Sequence, residues 1–310
     1  MAKILVTPRS LTKGGDPSLD LLKAAGHQLL FCTPGKSPDE QELIGLVPGC
    51  AGWLAGVEKI TEAVLARADC LKAISRNGTG VDSIDLAACQ RRGIAVLRAE
   101  GANARGVAEL TMALMLSLLR SISFGDARMK AGGWERRQGT ELEGRTLGVV
   151  GTGRIGKLVT KFALGVDMRV LGFDAYPDAR YAPSLDFRYV ALEELLGSSD
   201  IVTLHCPHTP GEKPLIGAAA IARMKKGVVL VNTARAGLVD DAAVLAALQD
   251  GRCAGYGVDA YDTEPPGASP LLAHDRVIAT PHVGAFTAES VSRATRVAVD
   301  NLLDSLAKAR

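Results

Sequence analysis

The chain has 310 residues, and its 36 Lys and Arg against 34 Asp and Glu leave a net charge of only +2. That balance gives no basic face for nucleic acid and no polybasic patch for an anionic membrane. Hydrophobic residues make up 47% and aromatics 4%, so the cores must rest on Val, Leu, Ile and Ala, a composition suited to buried parallel sheets in two domains of ordinary size.

The chain opens on a predicted strand at Ile4–Val6, which leaves no room for a signal peptide ahead of it. Further strands are predicted at Gln28–Phe31, Gly52–Leu54, Ala73–Ser75 and Ile94–Leu97, separated by amphipathic segments such as Ile84–Arg91. A long helical pattern without Pro then runs from about Ala104 to Lys130. Its most apolar part, Leu110–Leu119, lies between Glu109 and Arg120 and is far shorter than the ~20 residues that span a bilayer. After a polar stretch carrying Trp134, a second alternation gives strands at Thr146–Val150, Arg169–Phe173, Ile201–Leu204, Val228–Asn232, Ala254–Asp259 and Val277–Ala279, and a last helix over Ala288–Ala309. The expected fold is α/β: two doubly wound parallel sheets with a cleft between the domains and ligands at the carboxyl ends of the strands. The six cysteines are scattered without a C-x-x-C pair and the five histidines are dispersed. Reduced thiols, a cytoplasmic location and no metal site are expected.

Gly151-Thr-Gly153-Arg154-Ile155-Gly156 follows a predicted strand and opens a helix. Gly151 suits a tight turn, Gly153 a close approach of backbone to pyrophosphate, and Gly156 close helix–strand packing, with helix N–H groups turned to the phosphates. Asp174 ends the next strand, placed to bond ribose hydroxyls and to repel a 2′-phosphate, which favours NAD over NADP. Three later strand ends carry Arg235, Glu264 and His282. Arg235 suits bidentate binding of a carboxylate, but alone it also fits a surface arginine in a strand–helix loop. Histidine suits proton exchange with a hydroxyl whose carbon loses hydride, and a carboxylate beside it would orient the ring. A lone histidine equally fits a structural role, the one given to His27, His208 and His274. Asp240 is read as a helix cap.

With the runs Asn232-Thr-Ala-Arg235, Gly257-Val-Asp-Ala-Tyr-Asp-Thr-Glu-Pro-Pro266 and Pro281-His-Val-Gly-Ala285, the glycine turn closely resembles the D-isomer-specific 2-hydroxyacid dehydrogenases, over nearly the whole chain and closest to the phosphoglycerate dehydrogenase-like branch. The resemblance implies hydride transfer between NAD and C2 of a small 2-hydroxy or 2-oxo acid. Arg235, Glu264 and His282 would form the catalytic group. Gly151, Gly153, Arg154, Ile155, Gly156 and Asp174 would hold the NAD phosphates and adenosine ribose. His205, Cys206 and Pro207 would wall the adenine side, and Thr233, Ala234, Asp259 and Gly284 the nicotinamide half. Asn77, Gly78 and Thr79 resemble the family's loop for the substrate carboxylate, an anion-binding concavity of backbone N–H groups that alone would read as a glycine turn.

The resemblance also implies a discontinuous substrate domain, 1–98 plus 287–310, an NAD-binding Rossmann domain at 99–286, and a homodimer formed through the NAD domain. Phosphoglycerate-specific members often place arginine after the third strand, where this chain has Ala55 and Gly56, followed by Glu58, which would repel a phosphate, and Lys59. A non-phosphorylated acid is therefore an equal expectation beside 3-phosphoglycerate. The second reading is an NAD-sensing corepressor-type binding protein without significant turnover. A formate dehydrogenase-like reading is disfavoured because that branch pairs its histidine with glutamine.

Overall fold

In a computed structural model, residues 1–13, 16–209 and 211–308 are described. The chain divides into two compact units, Met1–Asn103 with Ala288–Arg310, and Ala104–Thr287. The first boundary lies after Asn103, where a helix begins, and not at residue 98.

The first unit holds β1 (Lys3–Val6), α1 (Pro17–Ala24), β2 (Gln28–Phe31), α2 (Glu40–Leu46), β3 (Cys50–Ala55), α3 (Glu62–Leu65), β4 (Ala73–Arg76), α4 (Leu86–Arg91) and β5 (Ala95–Arg98). Its sheet is parallel throughout, in the order β2-β1-β3-β4-β5. This is the flavodoxin-like doubly wound order, with its switch point beside β1 and β3.

In the second unit α5 (Ala104–Leu119) and α6 (Ile122–Lys130) precede β6 (Thr146–Val150), α7 (Arg154–Leu164), β7 (Arg169–Phe173), β8 (Phe187–Tyr189) and α8 (Leu192–Ser198). Next come β9 (Ile201–Leu204), α9 (Ala218–Arg223), β10 (Val228–Asn232), α10 (Asp241–Gln249), β11 (Cys253–Val258) and β12 (Val277–Ala279); α11 (Ala288–Lys308) returns to the first unit. The seven parallel strands run β12-β11-β10-β9-β6-β7-β8, so the order reverses between β6 and β9.

Small side chains set the packing of α11. A Cβ on Gly52 would lie 3.2 Å from Leu302 and from Leu306, so the bare backbone of β3 lets the helix settle on the sheet. Ser75 Oγ fastens it by donating to Ala298 O at 2.7 Å. The expected end of this helix, Ala309, lies outside the described residues.

Two elements differ from the sequence expectation. The pattern over Ala104–Lys130 is two helices bent by 64°, with Ser121 in the left-handed region at φ 51°. The reason lies downstream. Thr140 N donates to Leu119 O at 3.0 Å, and Gly139 packs so tightly there that a Cβ would fall 2.9 Å from the same oxygen. The carbonyl that would continue α5 is thus taken by another segment. Strand β8, not anticipated, is held by aromatic edges: Phe187 meets Tyr181 at 5.2 Å and Tyr189 at 5.0 Å, both T-shaped. Among the described residues no single helix is long and apolar enough to cross a membrane.

Candidate active site

The singled-out residues of the second unit leave the carboxyl ends of six adjacent strands. β7, β6 and β9 carry Asp174, the glycine turn and His205–Pro207; β10, β11 and β12 carry Thr233–Arg235, Asp259–Glu264 and His282–Gly284. They share one edge because every strand of the sheet is parallel.

The glycine turn is shaped by close contact. Gly151 has φ 92°, and a Cβ there would lie 2.6 Å from His205 C and Cys206 N. A Cβ on Gly156 would collide with Gly151 O, so helix α7 approaches the turn only because that atom is missing. Gly153 differs: nothing lies within 4 Å of where its Cβ would be. Gly153 is the N-cap of α7 and gives the helix no side-chain cap, so its first N–H groups face that space. A pyrophosphate fits here by geometry and by charge. Arg154 and Ile155 form the first turn of α7.

Asp174 is fixed by the turn it serves. Its Oδ2 accepts from Thr152 N at 2.7 Å and Thr152 Oγ1 at 3.1 Å, and its Oδ1 accepts from Tyr176 N at 2.9 Å. Thr152, which the sequence reading passed over, sits inside the G-x-G motif and also meets Tyr189 OH at 3.0 Å. His205 N donates to Val150 O at 2.7 Å, its Nε2 pairs with Thr203 Oγ1 at 3.0 Å, and its buried Nδ1 has no partner among the described residues. Burial pushes the His205 imidazole down to about 3, and burial also raises the Cys206 thiol. Pro207 beside them is exposed.

Beyond β10, Asn232 folds the chain back on itself. Its Nδ2 donates to Arg235 O at 2.9 Å and its Oδ1 accepts from Ala234 N at 3.1 Å. Thr233 Oγ1 meets Thr111 Oγ1 of α5 at 2.9 Å. Arg235 emerges half-buried with Nη1 on Ala234 O at 2.8 Å. Asp240 caps α10 by accepting from Ala242 N and Ala243 N at 3.0 and 3.1 Å.

The His282 loop is the most constrained part of the edge. His282 itself has φ 50°, a left-handed backbone that a non-glycine residue adopts at a cost of about 1–3 kcal/mol. Asp259 holds it there. This residue is 2% exposed; its Oδ1 accepts from Thr280 Oγ1 at 2.7 Å and Val283 N at 2.8 Å, and its Oδ2 accepts from Gly284 N at 2.8 Å. Both its oxygens thus brace the loop, and Oδ2, with one bond accepted, keeps room for a further donor. Gly284 likewise is buried, and a Cβ on it would lie 3.0 Å from Asp259 Oδ2 and 3.3 Å from Val107. Both residues shape the edge from behind. So does Tyr261, whose OH donates to Thr280 O at 2.8 Å and whose phenol is pushed up to about 12, chiefly by burial.

The result is a direct pairing. His282 Nδ1 lies 2.6 Å from Glu264 Oε1, with the two side chains 49% and 44% exposed. Loops from β11 and β12, 18 residues apart in sequence, meet at this contact. A cavity of about 490 Å³ opens at the opposite, amino edge of the same sheet, beside Leu118, Arg137 and Lys225. It contains none of these residues.

Asn77, Gly78 and Thr79 lie in the first unit, after β4. Asn77 N donates to Ala55 O at 2.8 Å, tying the loop to the end of β3, and Gly78 has φ 150°.

Residues 112–284 match the profile of the D-isomer-specific 2-hydroxyacid dehydrogenase NAD-binding domain. The D-3-phosphoglycerate dehydrogenase of Methanocaldococcus jannaschii is 42% identical over 79% of this chain and 47% of its own length. The chain belongs to the D-isomer-specific 2-hydroxyacid dehydrogenase family. Within that family, the human D-3-phosphoglycerate dehydrogenase is 40% identical over 82% of this chain and 48% of its own. The chain thus spans about half the length of the curated relatives it matches. Solved structures of similar size align throughout. The TT0316 protein of Thermus thermophilus has a TM-score of 0.88 at 36% identity, covering 99% of this chain and 97% of its own. The D-lactate dehydrogenase of Aquifex aeolicus, solved with NAD and lactic acid, has a TM-score of 0.80 at 29% identity, covering 99% and 96%. The two parallel α/β sheets are those of this family, and the matched profile spans the whole edge from the glycine turn to Gly284.

Proposed function

We propose that this chain is an NAD-dependent oxidoreductase that moves a hydride between nicotinamide and C2 of a small D-2-hydroxy acid or its 2-oxo counterpart. One observation carries the reading: the 2.6 Å contact of His282 Nδ1 with Glu264 Oε1, on the edge that also bears the dinucleotide turn. With Glu264 accepting the Nδ1 proton, Nε2 of the neutral ring is the acceptor nitrogen. In oxidation His282 Nε2 takes the C2 hydroxyl proton as hydride departs; in reduction it returns that proton to the forming alkoxide. The left-handed backbone and the Asp259 hydrogen bonds keep the imidazole from drifting, which is pre-organisation of the base.

Arg235 would bind the substrate's carboxylate and polarise its carbonyl. In the first unit Asn77 N and Gly78 N donate to Ala55 O and Arg76 O at 2.8 Å, so within the Asn77–Thr79 loop it is the Thr79 N–H that would meet a substrate carboxylate. Bound NAD supplies the hydride acceptor or donor. Its pyrophosphate would lie on Gly151–Gly156 at the start of α7, its adenosine ribose at Asp174, its adenine by His205–Pro207 and its nicotinamide by Thr233 and Ala234.

The reading includes a homodimer through the NAD-binding domain. Its support is α6, which buries no residue of its own, and the exposed Ile122, Met129 and Trp134, the last 80% exposed. It also includes a cytoplasmic setting, supported by the buried free thiols of Cys32, Cys50, Cys89 and Cys253. Light scattering of the purified chain tests the dimer, and Trp134→Ala is expected to shift it toward monomer.

The decisive experiment measures NADH formation with a panel of D-2-hydroxy acids. His282→Ala is expected to lower kcat by roughly 10²–10⁴ while leaving NADH affinity unchanged. Wild-type kcat in that variant would sink the assignment, and NADH binding without turnover on any acid would leave the NAD-sensing reading.

A further inference from the structure

The first unit contains a buried polar cluster that the proposed hydride transfer does not use. It lies at the carboxyl ends of β1, β3 and β4. Glu58 is 5% exposed, and its Oε1 accepts from Gly56 N at 2.9 Å and from the Thr7 hydroxyl. Thr7, also buried, accepts from Trp53 Nε1 at 2.8 Å. Gly56 makes room: a Cβ there would lie 2.6 Å from Glu58 Oε2 and 3.0 Å from Pro8 Cα. The carboxylate is therefore folded back against the strand ends, with Oε1 fully engaged. Among the described residues, no hydrogen-bond donor reaches Oε2.

The neighbour of this carboxylate is Arg76, the last residue of β4. Its guanidinium lies under the Asn77–Thr79 loop: Nη1 donates to Asn77 O, and a Cβ on Gly78 would lie 2.7 Å from Nη1. Burial lowers the Arg76 pKa, and the charges of Glu58 and Asp82 oppose that shift. Arg76 Nε and Asn77 Oδ1 are buried without partners among the described residues. A buried carboxylate is retained only where hydrogen bonds and an opposite charge sustain it. Here both are present, and one oxygen stays uncommitted beside the loop that would hold an acid.

We propose that Glu58 is a specificity-determining residue that selects a 2-hydroxy acid bearing a hydrogen-bond donor, such as a hydroxyl, on C3 and rejects one bearing a phosphate there. This rests on the Asn77–Thr79 loop being the carboxylate loop of the proposed dehydrogenase. The loop and the carboxylate share the ends of the paired strands β3 and β4, with Asn77 N on Ala55 O and Gly56 N on Glu58 Oε1, so an acid anchored on the loop would turn its third carbon toward Glu58. Oε2 offers an acceptor, so a C3 hydroxyl meets a partner, whereas a phosphate dianion meets acceptor oxygens, the neighbouring Arg76 guanidinium being turned to Asn77 O.

The test compares D-lactate, D-glycerate and 3-phospho-D-glycerate as substrates of the full chain and of Glu58→Gln. The amide keeps an acceptor for Thr7 and Gly56 and places an NH₂ donor where Oε2 was. Wild type is expected to prefer glycerate over lactate, and phosphoglycerate least. In Glu58→Gln the ratio of kcat/KM for phosphoglycerate to that for glycerate should rise at least roughly tenfold. A wild type that uses phosphoglycerate best, or an unchanged ratio in a folded variant, overturns the inference. The same three acids are also read by thermal shift in the presence of NADH. If no acid is oxidised, the dehydrogenase reading falls. The specificity assignment then stands only if glycerate stabilises wild type more than phosphoglycerate does and Glu58→Gln reverses that order; equal shifts overturn it as well.

Discussion

Two loops leave central strands of the two sheets, and they are built on different rules. In the Gly151–Gly156 turn nearly every atom is committed: Gly151 backs onto His205 and Cys206, Gly156 onto Gly151 O, and Asp174 is held by Thr152 and Tyr176. Only the space over Gly153 is open. The Arg76–Gly80 loop instead carries buried polar atoms without partners and a carboxylate with a spare oxygen next to it. A turn that serves a fixed group, the pyrophosphate, can be closed by packing alone. On the proposed function the Arg76–Gly80 loop chooses among acids, and polar atoms in reserve suit that task, because discrimination arises from groups that the wrong ligand leaves unpaired.

This contrast can be broken by substitution. Gly156→Val should have the largest effect: with Gly151 O in the way, the turn must shift, and NADH affinity should fall by more than roughly 100-fold with a lowered Tm. Gly153→Ala should leave Tm in place and still weaken NADH, since the added methyl meets only the ligand's space. Equal loss of Tm in both variants would mean that the turn is not closed as described. Glu264→Gln should cut kcat by roughly 10–100-fold, with His282 still in place but its carboxylate partner replaced by an amide. Unchanged kcat over the pH range would detach Glu264 from the chemistry.

Two smaller effects sharpen the picture. Asp174→Ala should reduce the preference for NAD over NADP by roughly tenfold. It should also lower Tm, because Thr152 N loses its acceptor; unchanged discrimination would reduce Asp174 to a turn brace. His205 has a folded pKa of about 3 against the ordinary 6.5. Between those values the unfolded chain binds a proton that the folded chain refuses, so stability falls as pH drops from 6.5 toward 3, by at most about 1.4 kcal/mol per pH unit. Denaturant melts of His205→Phe should show a flatter acid limb; an identical limb would assign the acid sensitivity elsewhere.

The strands read from the sequence at Thr146–Val150, Arg169–Phe173, Ile201–Leu204 and Val228–Asn232 have the same bounds in the structure. Buried β-branched runs between turn residues carry their own signal. The break at Ser121 and the strand Phe187–Tyr189 were not legible, since the first depends on Thr140 and Gly139 and the second on its pairing with Val170–Gly172 of β7. Roles blurred for the same reason. The bracing role of Asp259 was hidden in the sequence, since its three hydrogen bonds run to residues more than twenty positions later.

The sequence by itself determined the parallel α/β class, the glycine turn and the identity of the polar side chains at the strand ends, because these depend on local periodicity and on residue chemistry. Only the tertiary structure decided that His282 meets Glu264, that Asp259 braces the histidine loop, and that Glu58 folds inward beside Arg76. Each of these is a contact between chain segments far enough apart that no local pattern encodes their distance, and parallel pairing brings each to the carboxyl edge of its own sheet.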